Sequence, residues 1–172
     1  MTKTDFKLKV FSLSERLFPL VARMLGTNAN AEDAIQDIMI KLWEQRKKLD
    51  NHPNVNGFVF LTARNYCIDV LRKKPKLMQD STSHLRVLKS SNNDINIEWE
   101  ELNTIILKIL KEIPEQQKEV FLMRDIDGYE FTEIAAALQI KIEHTRVLLS
   151  RARKQIGLTL EKTYSYKRGT YE

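Results

Sequence analysis

The chain has 172 residues, a formal net charge of +5, 42% hydrophobic and 30% charged residues, and only five glycines and four prolines. These values fit a soluble, mostly helical protein of one ordinary domain or two small ones. The single Cys67 excludes an internal disulfide and suits a reducing cytoplasm, the charged start MTKTDFKLKVF lacks a signal-peptide core, and no apolar run approaches the roughly 20 residues that span a bilayer.

Charge is unevenly spread: residues 1–74 carry +5, residues 99–140 carry −5 and residues 141–172 carry +5. The basic surfaces suggest nucleic acid, the acidic one a protein. Phe6, Val10, Leu13, Leu17, Leu20, Val21 and Leu25 recur at helical spacing, and Pro19 is expected to kink or restart that helix. After Gly26, Asn30 is the expected N-cap of a second helix, with Glu32 and Asp33 in its first turn. There Ala34, Ile35, Ile38, Met39, Leu42 and Trp43 make one apolar side, opposite Asp33, Gln36, Asp37, Lys41 and Glu44.

Leu49–Asn56 reads as a polar loop. The helix predicted from Gly57 to Lys74 turns Phe58, Leu61, Ile68 and Leu71 to a core and interleaves Phe60 and Tyr66 with Arg64, Arg72, Lys73 and Lys74. Cations that follow phosphates and rings that stack on bases make a single-strand platform, although taken without context the aromatics suit a small core better. Pro75 ends this helix, and Lys76–Glu98, rich in Ser, Asn and Asp, reads as a flexible linker. Helical pattern resumes at Trp99 and runs to Ile113; Pro114 is placed at the first position of the next helix.

Asp127–Gln155 then reads as a helix-turn-helix. Phe131, Ile134, Ala135 and Leu138 line a short helix, Gln139-Ile140-Lys141 makes the corner, and Ile142, Thr145, Leu149 and Ile156 line the inner side of the second helix. Its outer side carries Arg146, Ser150, Arg151, Arg153 and Lys154, which suits a DNA major groove. An alternative for Arg151 or Arg153 is an ion pair with an acid such as Glu133.

Taken together, Ala31–Glu44, Phe58–Lys74, Ile113–Leu138 and Thr145–Ile156 resemble, in order and spacing, the bacterial sigma factors of the extracytoplasmic-function group. The resemblance implies an all-α chain of two small helical domains, residues 1–75 (sigma region 2) and 99–172 (sigma region 4, with the helix-turn-helix), joined by a flexible linker at 76–98. It implies that Asp33, Gln36, Asp37 and Lys41 meet core RNA polymerase. It places Asn51, Asn54, Asn56, Phe60, Arg64, Asn65, Tyr66, Arg72, Lys73 and Lys74 on the melted −10 element, with His52 shaping the loop. On the −35 element it places Arg146, Val147, Ser150 and Arg151, with Arg153 and Lys154 nearer the backbone.

A cytoplasmic, non-enzymatic promoter-specificity subunit follows, partnered by polymerase, promoter DNA and an anti-sigma factor, with no membrane insertion and no cofactor. Departures from the family pattern are Phe58 where many members have Trp, Gln139 where Gly is usual at the corner, Glu130 and Lys141 where Ser caps are usual, and Leu148 at an often basic position. Two other classes compete. A stand-alone helix-turn-helix regulator leaves the N-terminal half without a purpose. An enzyme of nucleotide chemistry lacks a Gly-rich phosphate loop and an activated nucleophile, and scattered His52, His84 and His144 offer no metal site.

Overall fold

The computed structural model describes residues 1–73 and 97–164, and among them every regular element is a helix. By its contacts the chain divides into two compact units, Met1–Asn93 with Thr132–Lys141, and Asp94–Phe131 with Ile142–Glu172.

In the first unit, α1 (Lys3–Lys9) is opened by a capping box: the Thr2 hydroxyl accepts from the Asp5 N–H while the Asp5 carboxylate accepts from the Thr2 N–H. A 3-10 turn (Phe11–Leu13) leads into α2 (Ser14–Leu25). The break expected at Pro19 therefore falls at Val10–Leu13 instead. A 3-10 turn stacks residues three apart, and this one keeps Val10 and Leu13 buried together. Pro19 sits inside α2, which forgoes the bond to the Glu15 carbonyl and continues.

Gly26 ends α2 with φ 82° and donates its N–H to the Ala22 carbonyl at 2.8 Å. Thr27 caps α3 (Asn28–Glu44) by accepting from the Asn30 N–H at 3.2 Å, so Asn30 is not the cap. A helix closed by a left-handed glycine can restart at the next hydroxyl, which places Glu32 and Asp33 in the second turn rather than the first.

The expected loop at Leu49–Asn56 shrinks to residues 51–54. Arg46–Asp50 forms α4, whose Leu49 is fully buried, and α5 (Val55–Lys73) begins two residues before Gly57. Helices α2, α3 and α5 pack pairwise around Leu17, Leu20, Ile38, Leu42, Val59 and Phe60. Each such side chain contributes about 1.5–3 kcal/mol by leaving water. Arg16 on α2 donates to both carboxylate oxygens of buried Glu133, at 2.8 and 2.9 Å.

The second unit contains α6 (Ile97–Leu110), α7 (Glu115–Phe121) and the long helix Ile142–Tyr164. Of the expected linker, residues 76–96 lie outside the described residues and Ile97-Glu98 open α6. Pro114 precedes α7 as its N-cap instead of occupying the first turn. Ile109, Leu110, Ile113, Leu122 and Ile156 form the core, flanked by Ile105, Ile106, Phe121 and Leu160. Beyond α7 the chain widens into a π-helical turn (Leu122–Ile126), and buried Tyr129 donates its N–H to the Met123 carbonyl at 2.9 Å.

Helix α8 (Phe131–Leu138) ends in a Schellman motif. The Ile140 N–H bonds the Ala135 carbonyl at 3.0 Å and the Gln139 N–H bonds the Ala136 carbonyl at 3.3 Å. The left-handed residue of this motif is Gln139, with φ 55°, the one non-glycine positive φ among the described residues. That conformation explains why glycine suits the corner. The helix Ile142–Tyr164 is α9 from here on.

Candidate nucleic-acid and polymerase interfaces

The polar face read from α3 is there: Asp33, Gln36, Asp37 and Lys41 are all exposed, while Ala31, Ala34, Ile38, Met39 and Leu42 are buried on the other side. Ile40 stands among the polar residues at 58% exposure and was missed by reading residue types. Its register gives the signal, because it lies three residues beyond Asp37 and four beyond Gln36, off the apolar stripe.

On α5, Asn65, Arg72 and Lys73 are exposed and Arg64 and Tyr66 half-buried, whereas Lys74 lies outside the described residues. Phe60 requires correction. It is 0% exposed and belongs to the core, because Val59, Phe60, Ala63 and Cys67 share the stripe turned to α2 and α3. It cannot stack on a base without unfolding its surroundings. Burial also pushes the Cys67 thiol up to about 12. Tyr66 is tied to α3: its hydroxyl donates to Asp37 Oδ2 at 2.5 Å, and Lys41 Nζ lies 5.2 Å from its ring centre.

The loop before α5 is held by its own residues. Asn51, Asn54 and Asn56 are exposed. Asn54 Oδ1 accepts from the Gly57 N–H at 2.8 Å, capping the helix, so Asn54 is partly engaged in structure. His52 Nδ1 accepts from the Asn54 N–H at 3.1 Å, and its ring packs on Phe58 at 5.1 Å, the structural role expected of it.

On α9 the two faces separate cleanly. Thr145, Leu148, Leu149, Ala152 and Ile156 are buried; Arg146, Val147, Ser150, Arg151, Arg153 and Lys154 are exposed. Leu148 is thus a core residue here. Arg153 grips Asp125 of the π turn with two bonds, Nε to Oδ2 at 2.9 Å and Nη2 to Oδ1 at 2.5 Å, a bond that also raises the guanidinium's pKa. The acid beside Arg153 is therefore Asp125, not Glu133. Twenty-eight residues separate this pair, and no short-range pattern announces it.

Phe131 gathers two guanidinium groups, Arg124 at 4.9 Å and Arg146 at 5.5 Å from its ring centre. Arg124 is itself anchored, donating to the Tyr129 carbonyl at 2.7 Å and pairing with Glu130 at 3.3 Å. Phe131, Arg146, Ser150, Arg153 and Lys154 line one open groove. Among the described residues no group of His, Cys, Asp and Glu is arranged to hold a metal ion, and no helix is long and apolar enough to cross a membrane.

Comparison with known proteins agrees with both halves of this geometry. Residues 12–76 match the family model for sigma-70 region 2, and residues 103–156 that for sigma-70 region 4. Together they cover well over half of the chain, so it belongs to the sigma-70 family. Within that family it is an alternative sigma factor of the extracytoplasmic-function group. It is 26% identical to the ECF RNA polymerase sigma factor SigW of Bacillus subtilis over 83% of this chain and 81% of that one. It is also 26% identical to the ECF RNA polymerase sigma-E factor of Escherichia coli, over 88% and 84% respectively.

Two solved structures share the fold, both at 18% identity. The sigma factor RpoE of Bartonella quintana, crystallised with the anti-sigma factor NepR, gives a TM-score of 0.59, covering 93% of this chain and 99% of that one. CnrH in complex with the cytosolic domain of CnrY gives 0.58, covering 94% and 91%.

Proposed function

We propose that this chain docks on core RNA polymerase through the exposed face of α3, reads the −35 element with α9 and holds the melted −10 strand with the loop and outer face of α5. The observation that supports this best is the pairing, in one chain, of an exposed Asp33–Gln36–Asp37–Lys41 face with a second helix whose exposed side is basic. A stand-alone regulator needs only the second. The chain then supplies specificity rather than catalysis, in the cytoplasm where polymerase and chromosome meet.

Arg146 and Arg151 are the candidates for bidentate contacts to guanine, each worth about 1–3 kcal/mol of discrimination. Lys154 serves phosphate contact, which is sequence-blind and salt-sensitive. Arg153, already engaged by Asp125, positions the helix more than it reads bases. Strand opening costs about 1.4 kcal/mol per base-pair step. Stacking and cationic contacts along α5 offset that over a short bubble. Because the similar structure of the sigma factor RpoE holds the anti-sigma factor NepR, and CnrH too is seen with a partner protein, we also assign this chain an anti-sigma partner that covers these surfaces.

The test is run-off transcription with core polymerase and a promoter library, alongside a core-binding assay. Wild-type chain is expected to bind core and select a promoter subset. Asp37→Lys is expected to bind core at least tenfold more weakly. Unchanged binding by that variant, or no binding by the wild type, refutes the assignment.

A further inference from the structure

Residues assigned above to two different surfaces meet at one point in the first unit. Asp37 and Lys41 belong to the docking face of α3, four residues apart and therefore neighbours on one side of the helix. Tyr66 belongs to the strand-facing side of α5. Yet the Tyr66 hydroxyl donates to Asp37 Oδ2 at 2.5 Å, and Lys41 Nζ lies over the same ring, 5.2 Å from its centre. The phenol is held protonated there, pushed up to about 12 by the hydrogen bond to Asp37, by burial and by the negative charge of Asp37, with Cys67 and Asp33 acting in the same sense.

Each of these contacts excludes a functional one. A ring face under an ammonium group is closed to a nucleobase, and a carboxylate oxygen engaged by a phenol is less open to a cation of polymerase. We propose that Asp37, Lys41 and Tyr66 form a latch between the two surfaces: polymerase groups that engage Asp37 and Lys41 displace Tyr66 and turn its ring out to stack on the unpaired promoter strand. Tyr66 is thus a conditional strand-binding residue, and Asp37 and Lys41 are its positioning residues. The proposal rests on the sigma-factor reading of α3 and α5. It extends that reading by making docking and strand capture competitors for the same side chains in the unbound chain. Linkage then fixes the sign: a change that breaks the latch while leaving Asp37, Lys41 and the Tyr66 ring in place strengthens both docking and strand binding, because neither has to break it first.

Tyr66→Phe is the decisive variant, since it keeps the ring and its packing and removes only the hydroxyl. It is expected to bind core polymerase about threefold to tenfold more tightly, the range for losing one ordinary competing hydrogen bond in a solvent-screened position. Without polymerase, it is expected to bind a fluorescein-labelled random-sequence single-stranded oligonucleotide more tightly by a similar factor. Tyr66→Ala, which lacks the ring, should keep the gain in core affinity and lose the gain on the oligonucleotide. That split separates a latch from simple packing.

Equal affinities of Tyr66→Phe and wild type in both assays overturn the latch, as does weaker core binding by Tyr66→Phe. If the wild type binds no core polymerase at all, the sigma-factor reading fails and the latch with it. If the wild type binds and Tyr66→Phe is indistinguishable from it, the latch alone fails.

Discussion

The two helices assigned to DNA differ in how much of their chemistry is already on display. On α9 every candidate reader is exposed, Arg153 alone of them being tied to an acid among the described residues, and a buried row of Thr145, Leu148, Leu149, Ala152 and Ile156 fixes the helix behind them. At α5 three of the candidates are compromised by structure: Phe60 fills the core, Tyr66 is bonded to Asp37, and Asn54 caps the helix itself. A duplex groove presents a finished shape, so a rigid, prearranged face suits it. A melted strand exists only after opening, so side chains that meet it have other partners beforehand. On the proposed assignment, preformation in the one helix and engagement in the other match the state of the DNA each is to meet.

The sharpest way to break that contrast is Phe60→Ala. As a core residue it should cost about 3–5 kcal/mol of stability, read as a lower midpoint in urea or heat. A surface platform would instead leave stability intact and lose strand affinity. Next in size, Arg146→Ala is expected to weaken binding to the selected −35 duplex by about 1–3 kcal/mol and relax specificity at one base pair. Phe131→Leu should reproduce part of that loss, about 0.5–1 kcal/mol, because the ring beside Arg146 holds its guanidinium in place. Combined with Arg146→Ala it should add little, which a double-mutant cycle of duplex affinities measures.

Smaller still, Gln139→Gly should raise stability by roughly 1 kcal/mol, since a non-glycine residue in the left-handed region costs about 1–2 kcal/mol and glycine gives part of that back as chain entropy. A thermal melt reads the sign. The last effect is alkaline. Tyr66 and Cys67 both have raised values of about 12 in the folded chain. Unfolded, they ionise near about 10 and about 8.5. Their contribution is therefore present below the unfolded values and is lost as pH rises from there through about 12. Cys67→Ala should flatten the lower part of that slope and Tyr66→Phe the upper part. At neutral pH the Cys67 thiol should react with a thiol reagent only when the first unit opens.

How much of this was legible in the residues depended on periodicity. The faces of α3 and α9 were readable because apolar positions recur strictly at helical spacing in both. Phe60 was misplaced because aromatic and basic residues were counted as a type, while register groups it with Val59, Ala63 and Cys67. The cap before α3 is Thr27 rather than the expected Asn30, because Gly26 closes α2 in the left-handed conformation and lets the next helix start at once. Pairs such as Arg153 with Asp125, or Tyr66 with Asp37, join separate helices and leave no trace in local pattern. The departure at Gln139 was visible in the sequence; that it sits at a positive φ was not.

Exposed Ile40 has a consequence for ionic strength. Set on α3 among Gln36, Asp37 and Lys41, it is an apolar spot ringed by groups that salt screens. Attraction between apolar surfaces is insensitive to added ions, whereas phosphate contacts weaken steeply as counterions crowd the duplex. Raising salt should therefore strip this protein from promoter DNA well before it strips it from polymerase. Ile40→Asp should bring the two thresholds together.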